Sequence, residues 1–407
     1  MEQITLGDLY GPETIKNPFT LNRKLRGRKE PLVRIEGVPE IGFVWLAADY
    51  EDVIAILRDP RFVKDRLKFM PPQSGQDAAA DDGTPNVMMW WRNMLTVDPP
   101  DHTRLRGLVS KAFTPRMIEQ LRPQIQHITD ELLDKVQPQG KMDLIADFAY
   151  PLPMTVISDM LGIPVSDRQQ FRDWSRTLMS MTTTQQGAAP ELAAIVEVFV
   201  KYIQDLLEAR REHPGTDLTS ALIQAHDQGD SLSETELIST IWLLILAGHE
   251  TTVSLIGNGM LSLFQHPEQL DMLRKDPTKL PAAIEELLRY AGPIQFVERL
   301  ANEDVKLHNQ VIHRGEMVLL SLSMANLDPH QFSGPESLNI TREENKQLAF
   351  GKGIHACLGA PLARLEGQIA IGTLLKRLPG IRLAIEPEQA VWAPSQFRGL
   401  ASLPVTF

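Results

Sequence analysis

A single cysteine, Cys357, stands among 407 residues, so no disulfide can form within the chain. That scarcity fits a reducing compartment. Basic charge is also in deficit, with 41 Lys and Arg against 52 Asp and Glu for a formal net charge of −11. An acidic balance of this size argues against a nucleic-acid backbone or an anionic membrane as the main partner and keeps the chain soluble. Long apolar runs are missing. The longest, Ile238 to Gly248, is about half of what a bilayer crossing needs and runs into His249 and Glu250, so it reads as a buried helix. Met1 to Lys16 is acidic and polar with no apolar centre, which gives the expectation of no signal peptide, no membrane anchor and a cytoplasmic location. No internal repeat occurs. Flavin and nicotinamide fingerprints are absent as well, so any electrons the protein uses come from outside.

Length alone allows two or three domains, but hydrophobic residues amount to 43% and are spread evenly. One domain spanning 1–407 is the expectation. Helical periodicity dominates from about Asp101 to Tyr290, with β-like segments at Leu32 to Trp45 and Val305 to Leu322. Pro71 to Pro85 has no periodicity and reads as a loop. Ser233-Glu234-Thr235-Glu236 fits a capping box for a helix that should run to His266 before Pro267. Its length would be roughly 50 Å, enough to cross a domain. Its middle is apolar nearly all round, which makes Ala247-Gly248-His249-Glu250-Thr251-Thr252 conspicuous. Ala247 and Gly248 clear room for a flat group, Glu250 and Thr251 offer a carboxylate and a hydroxyl, and His249 is expected to face packing or solvent.

Cys357 lies in Phe350-Gly351-Lys352-Gly353-Ile354-His355-Ala356-Cys357-Leu358-Gly359. The glycines allow a tight turn and a close approach to a flat object, and a thiolate can serve as an axial ligand of haem iron. The Phe-x-x-Gly-x-x-x-Cys-x-Gly pattern is matched at every fixed position. Ahead of it come Ala-Gly-x-Glu-Thr at Ala247 to Thr251 and Glu-x-x-Arg at Glu286 to Arg289. In that order the motifs resemble the cytochrome P450 family over nearly the whole chain, and the flanking sequence looks most like soluble bacterial members that tailor polyketides and macrolides.

The resemblance implies a mainly α fold with smaller β-sheets, a triangular prism with haem b between a long central helix and the cysteine loop. It implies Cys357 as the metal ligand and Glu250 and Thr251 as the catalytic acid–alcohol pair. His102, Arg106, Arg299 and His355 would serve the haem propionates, while Ala247, Phe350, Gly351 and Gly359 would line the cofactor. Glu286, Arg289 and Arg342 would form a buried structural cluster. Trp90, Leu243, Leu246, Ile294, Gln295, Phe296 and Phe397 are the candidates for an apolar substrate pocket, which suits a medium or large hydrophobic molecule.

The implied activity is a monooxygenase that inserts one atom of O₂, by hydroxylation or epoxidation, using a ferredoxin or flavodoxin and its NAD(P)H-dependent reductase. Arg104, Lys111, Arg116, Lys352 and Arg364 would steer such an acidic donor. A monomer is implied, with no nucleic acid and no membrane. Three rival readings differ in what they need. A haem-binding sensor or carrier without turnover needs no acid–alcohol pair, a peroxide-driven peroxygenase usually replaces that pair, and a cysteine hydrolase would bind no haem.

Overall fold

The structure, a computed structural model, describes residues 4–26, 30–39, 41–69, 92–111, 113–171, 173–174, 189–227, 232–393, 395 and 397–407. Trp90 and the stretch from Pro71 to Pro85 lie outside them. The chain forms two compact units. One comprises Met1–Val63, Arg122–Tyr150 and Thr251–Phe407, and the other Lys64–Leu121 and Pro151–Glu250.

The first unit is built on a five-stranded sheet in the order Leu32–Val38, Gly42–Ala47, Met317–Ser321, Phe296–Ala301, Phe62–Val63. Period-two alternation divides its side chains between two cores. Trp45, Ala47, Val318 and Leu320 face Tyr50, Val53, Ile56 and Leu57 of the following helix. Val44, Leu46 and Leu319 face the opposite way, onto Leu21 and Leu25. With both faces covered, the central strands are largely buried, and they hold Arg299 and the helix Tyr50–Arg58 in fixed places. The helices Leu280–Ala291 and Ala360–Arg377 complete the parts of this unit that matter for the site.

The second unit is helical, with Asp101–Ser110, Pro151–Leu161, Ala189–Glu212 and Leu218–Asp227 as its main elements. The long helix spans Glu234–Gln265, 32 residues. Its start is the capping box read from the sequence: the Glu236 amide donates to Ser233 Oγ at 3.2 Å and the Ser233 amide to Glu236 Oε2 at 2.8 Å. Against the expectation from the sequence, Leu144–Leu161 and Glu234–Gln265 are long and apolar enough to cross a membrane, yet 67% and 78% of an 18-residue apolar stretch in each is buried within the fold. Their apolar surface is spent on packing.

Candidate active site

The cysteine loop takes its shape from two left-handed glycines, Gly351 at φ +65° and Gly353 at φ +74°. A Cβ on Gly353 would sit 2.2 Å from the Leu57 carbonyl oxygen, so only glycine lets the loop pass the end of the Tyr50–Arg58 helix. The Gly351 amide donates to the Leu348 carbonyl at 2.8 Å, and the Cys357 amide donates back to the Phe350 carbonyl at 2.8 Å. Cys357 is thereby left exposed, just ahead of an 18-residue helix whose N-terminal end favours negative charge. Open space lies beside Gly351 and Gly359, where a Cβ would meet nothing within 4 Å. A single soft donor on a glycine-walled loop suits a flat macrocycle bound through its metal.

The long helix is buried from Leu237 to Ile245 and again from Thr252 to Leu263. Between these stretches Ala247 is exposed, and Leu246, Gly248, Glu250 and Thr251 are half-buried. The opening expected at the helix midpoint is present, with one change. A Cβ on Gly248 would come 3.1 Å from Ile157, so Gly248 is small to seat the Pro151–Leu161 helix and Ala247 alone marks the open side. His249 is wholly buried and does not face solvent.

Of the four basic residues read as propionate partners, His102 and Arg299 are buried and Arg106 and His355 half-buried. Arg299 lies on a strand, with its Nη1 donating to the Glu298 carbonyl at 2.7 Å. His102 and Arg106 follow one another on the Asp101–Ser110 helix. The Phe350 ring lies beneath the Arg364 guanidinium, 4.5 Å from its centroid.

Glu286, Arg289 and Arg342 do come together. Arg289 donates in a fork to both Glu286 oxygens at 2.8 Å each, and Arg342 Nε reaches Glu286 Oε2 at 3.0 Å. The pair Glu286–Arg289 is fully buried. Arg289 also donates to the carbonyls of Asn326, Pro335 and Ser337, and the Asn339 amide and Asn345 side chain complete the carboxylate.

Among the pocket candidates, Leu243 and Gln295 are buried, and Leu246 and Phe397 are half-buried. Ile294 packs against one core of the sheet, and Phe296 packs against the other with its ring 5.2 Å from Tyr10. The backbone carbonyl of Gln295 accepts from the Leu322 amide at 2.9 Å. Two of the five basic residues assigned to donor steering already have carboxylate partners. Arg364 forks onto Glu285 at 2.6 and 3.0 Å, and Arg104 pairs with Glu236 at 3.1 Å and with Asp101. Lys111 and Arg116 are exposed.

Sequence reasoning passed over Glu366, on the helix that follows the cysteine loop. It is 1% exposed, and neither carboxyl oxygen has a hydrogen-bond partner among the described residues. Burial pushes its carboxyl up to about 8. The folded state therefore holds this proton through a range in which the unfolded chain, near the ordinary 4.5, has released it. Stability is fully present below pH ~4.5 and is lost progressively as pH rises toward 8. Glu366→Gln should remove that decline, so that thermal midpoints measured from pH 5 to 8.5 fall less in the variant than in the parent. Parallel declines in the two proteins would show that the carboxyl is not held neutral.

A family profile described as Cytochrome P450 matches residues 44–404. The chain belongs to the cytochrome P450 family. It is 53% identical over 100% of both chains to Cytochrome P450 CYP107DY1 of Priestia megaterium. Cytochrome P450 monooxygenase PikC of Streptomyces venezuelae is 41% identical, with 99% of this chain and 94% of that one covered. Among solved structures, the bacillaene polyketide synthase cytochrome P450 PksS of Bacillus subtilis superposes with TM-score 0.88 at 42% identity over 98% of both chains. The fold is thus the P450 fold, and the protein is an oxidoreductase of the monooxygenase class. P450s carry haem bound through a cysteine thiolate, act on small molecules and draw electrons from redox partners.

Proposed function

We propose that this P450 inserts one atom of O₂ into a hydrophobic small molecule of secondary metabolism, a polyketide or macrolide, by hydroxylation or epoxidation. The observation that carries the reading is the acid–alcohol pair Glu250 and Thr251 at the open midpoint of an otherwise buried helix. Relatives named for polyketide biosynthesis and monooxygenation support the substrate class. The whole of 1–407 acts as one catalytic domain in this reading, in the cytoplasm and as a monomer.

Cys357 ligates the iron of haem b, and Ala247, Phe350, Gly351 and Gly359 line the macrocycle. His102, Arg106, Arg299 and His355 neutralise the propionates. Each assignment rests on the residue's position in the family's motifs and on its donor chemistry. When bound, the haem–thiolate supplies the electron donation that favours O–O cleavage. Reduction of O₂ with insertion of one atom consumes two electrons and two protons and yields one water. Thr251 holds a hydroxyl proton at the reacting oxygen, and Glu250, whose side chain is 22% exposed, restores it, a short relay from solvent inward. Electrons come from a ferredoxin or flavodoxin with its NAD(P)H-dependent reductase, and docking falls to exposed cations such as Lys111 and Arg116.

Thr251→Ala and Glu250→Gln should leave haem content and substrate affinity near the parent's while the yield of product per electron drops several-fold and peroxide rises. Oxygen uptake, peroxide and product measured together on one substrate check this. If both variants convert electrons into product as efficiently as the parent, the relay assignment is wrong. The substrate itself is sought through the low-to-high spin shift across a library of macrolactones and linear polyketides. A peroxide-driven reaction is the second reading, and the intact acid–alcohol pair counts against it.

A further inference from the structure

The side chain next to Glu250 has a place in the relay proposed above, and its geometry can be read atom by atom. His249 is 0% exposed, and its Nδ1 lies 2.7 Å from the Ile245 carbonyl oxygen one turn back. A carbonyl oxygen only accepts, so Nδ1 carries a hydrogen and donates it. The other nitrogen, Nε2, lies 3.2 Å from Glu250 Oε1. At that distance an unprotonated Nε2 and an ionised carboxylate would face each other as two acceptors, a repulsion that one shared proton removes. The pair is then either imidazole with carboxylic acid or imidazolium with carboxylate. Both forms have zero net charge, and they differ only in which atom holds the proton.

Adjacent residues on a helix point about 100° apart and do not ordinarily meet. Contact arises here because the ring is anchored backward on Ile245 while the Glu250 side chain reaches across to it. The two ends differ in burial, with His249 dry and the Glu250 side chain 22% exposed. A lone imidazolium in so dry a place would be costly, and the carboxyl relieves that cost.

We propose that His249 is a positioning residue that shares a single proton with Glu250 and keeps its carboxyl loaded as the proton source of the relay. The proton leaves from Glu250. In the imidazolium form Nε2 first returns it to Oε1, and after donation the pair carries one negative charge until a solvent proton refills it. Two protons are consumed per O₂, so the pair is emptied and refilled twice in each turnover. This rests on the relay reading above.

His249→Gln can still donate an amide hydrogen to Glu250 but cannot give up a proton, and His249→Phe fills the space with no proton at all. In the haem-loaded enzyme both should lower product per electron several-fold. Combined with Glu250→Gln, neither should lower it further, because the two residues act as one unit. Nitrogen-15 spectra of histidine-labelled ferrous carbon-monoxide protein give a readout independent of turnover, the His249 signals being those lost in His249→Gln. They should show a protonated Nδ1, and Nε2 should shift when Glu250 becomes Gln. If Glu250→Gln uncouples but the His249 variants couple like the parent, with only their thermal midpoints lowered, His249 is packing and the proposal falls. If Glu250→Gln does not uncouple, the relay reading fails instead, and the nitrogen spectra still decide: His249 signals unmoved by Glu250→Gln overturn the shared proton.

Discussion

Cys357→His should move the ferrous carbon-monoxide band to the position of imidazole-ligated haem and abolish oxygenation. Backbone geometry shapes the loop. Its turns are set by Gly351 and Gly353, and the hydrogen bond that closes it comes from the residue 357 amide to the Phe350 carbonyl at 2.8 Å, which histidine preserves. An imidazole can therefore replace the ligand without unfolding the site. What is lost is the anionic, electron-rich donor that promotes O–O cleavage. Reduced difference spectra and turnover on the same preparation test this, and an unshifted band with parental turnover would sink the assignment of Cys357 as the ligand.

Glu286→Gln should cost stability on the order of 3 to 5 kcal/mol, because it leaves guanidinium groups buried without their counter-charge. Arg289 has no exposure to water and shares the Glu286 carboxylate with Arg342. Its remaining hydrogens go to the main chain at Asn326, Pro335 and Ser337, so the cluster pins the segment leading to the cysteine loop. Urea midpoints of the haem-loaded variant should fall, and haem retention on heating should fall with them. Arg289→Lys keeps the charge but loses the fork, and it should be destabilising too, since one ammonium cannot serve two carboxylate oxygens and three carbonyls. An unfolding free energy for Glu286→Gln within about 0.5 kcal/mol of the parent's would mean that the cluster is not a determinant of stability.

Where structure depends on order along the chain, the elements that carry the candidate site were legible. The capping box at Ser233, the apolar helix with a polar midpoint and the glycines around Cys357 are local patterns, and each forms for a local reason: an amide that needs an acceptor, an apolar face that needs cover, a backbone that needs positive φ. Glu286 and Arg289 meet because residues three apart share a helix face. Arg342 could be matched only through the family pattern. Nothing in its neighbourhood of the sequence says that it will reach Glu286.

Other features depended on packing, which a linear reading cannot weigh. Gly248 looked like clearance for a cofactor, yet Ile157 takes that space. Arg364 and Arg104 were expected to steer an acidic donor, and Glu285 and Glu236 are paired with them. Glu366 drew no reading from the sequence, and its burial, without a hydrogen-bond partner among the described residues, pushes its carboxyl up to about 8. Each turns on a neighbour distant in the chain.

By itself the sequence determined the long capped helix, the β-like segment at Leu32 to Trp45 and the order of the motifs, because capping, periodicity and glycine chemistry act over a few residues. Tertiary structure alone decided the pairing of Gly42–Ala47 in parallel with Met317–Ser321, the closing of Gly353 onto the Leu57 carbonyl and the placing of His249 in the dry core beside Glu250. Those outcomes follow from which surfaces bury one another, and burial is fixed only when the whole chain has packed.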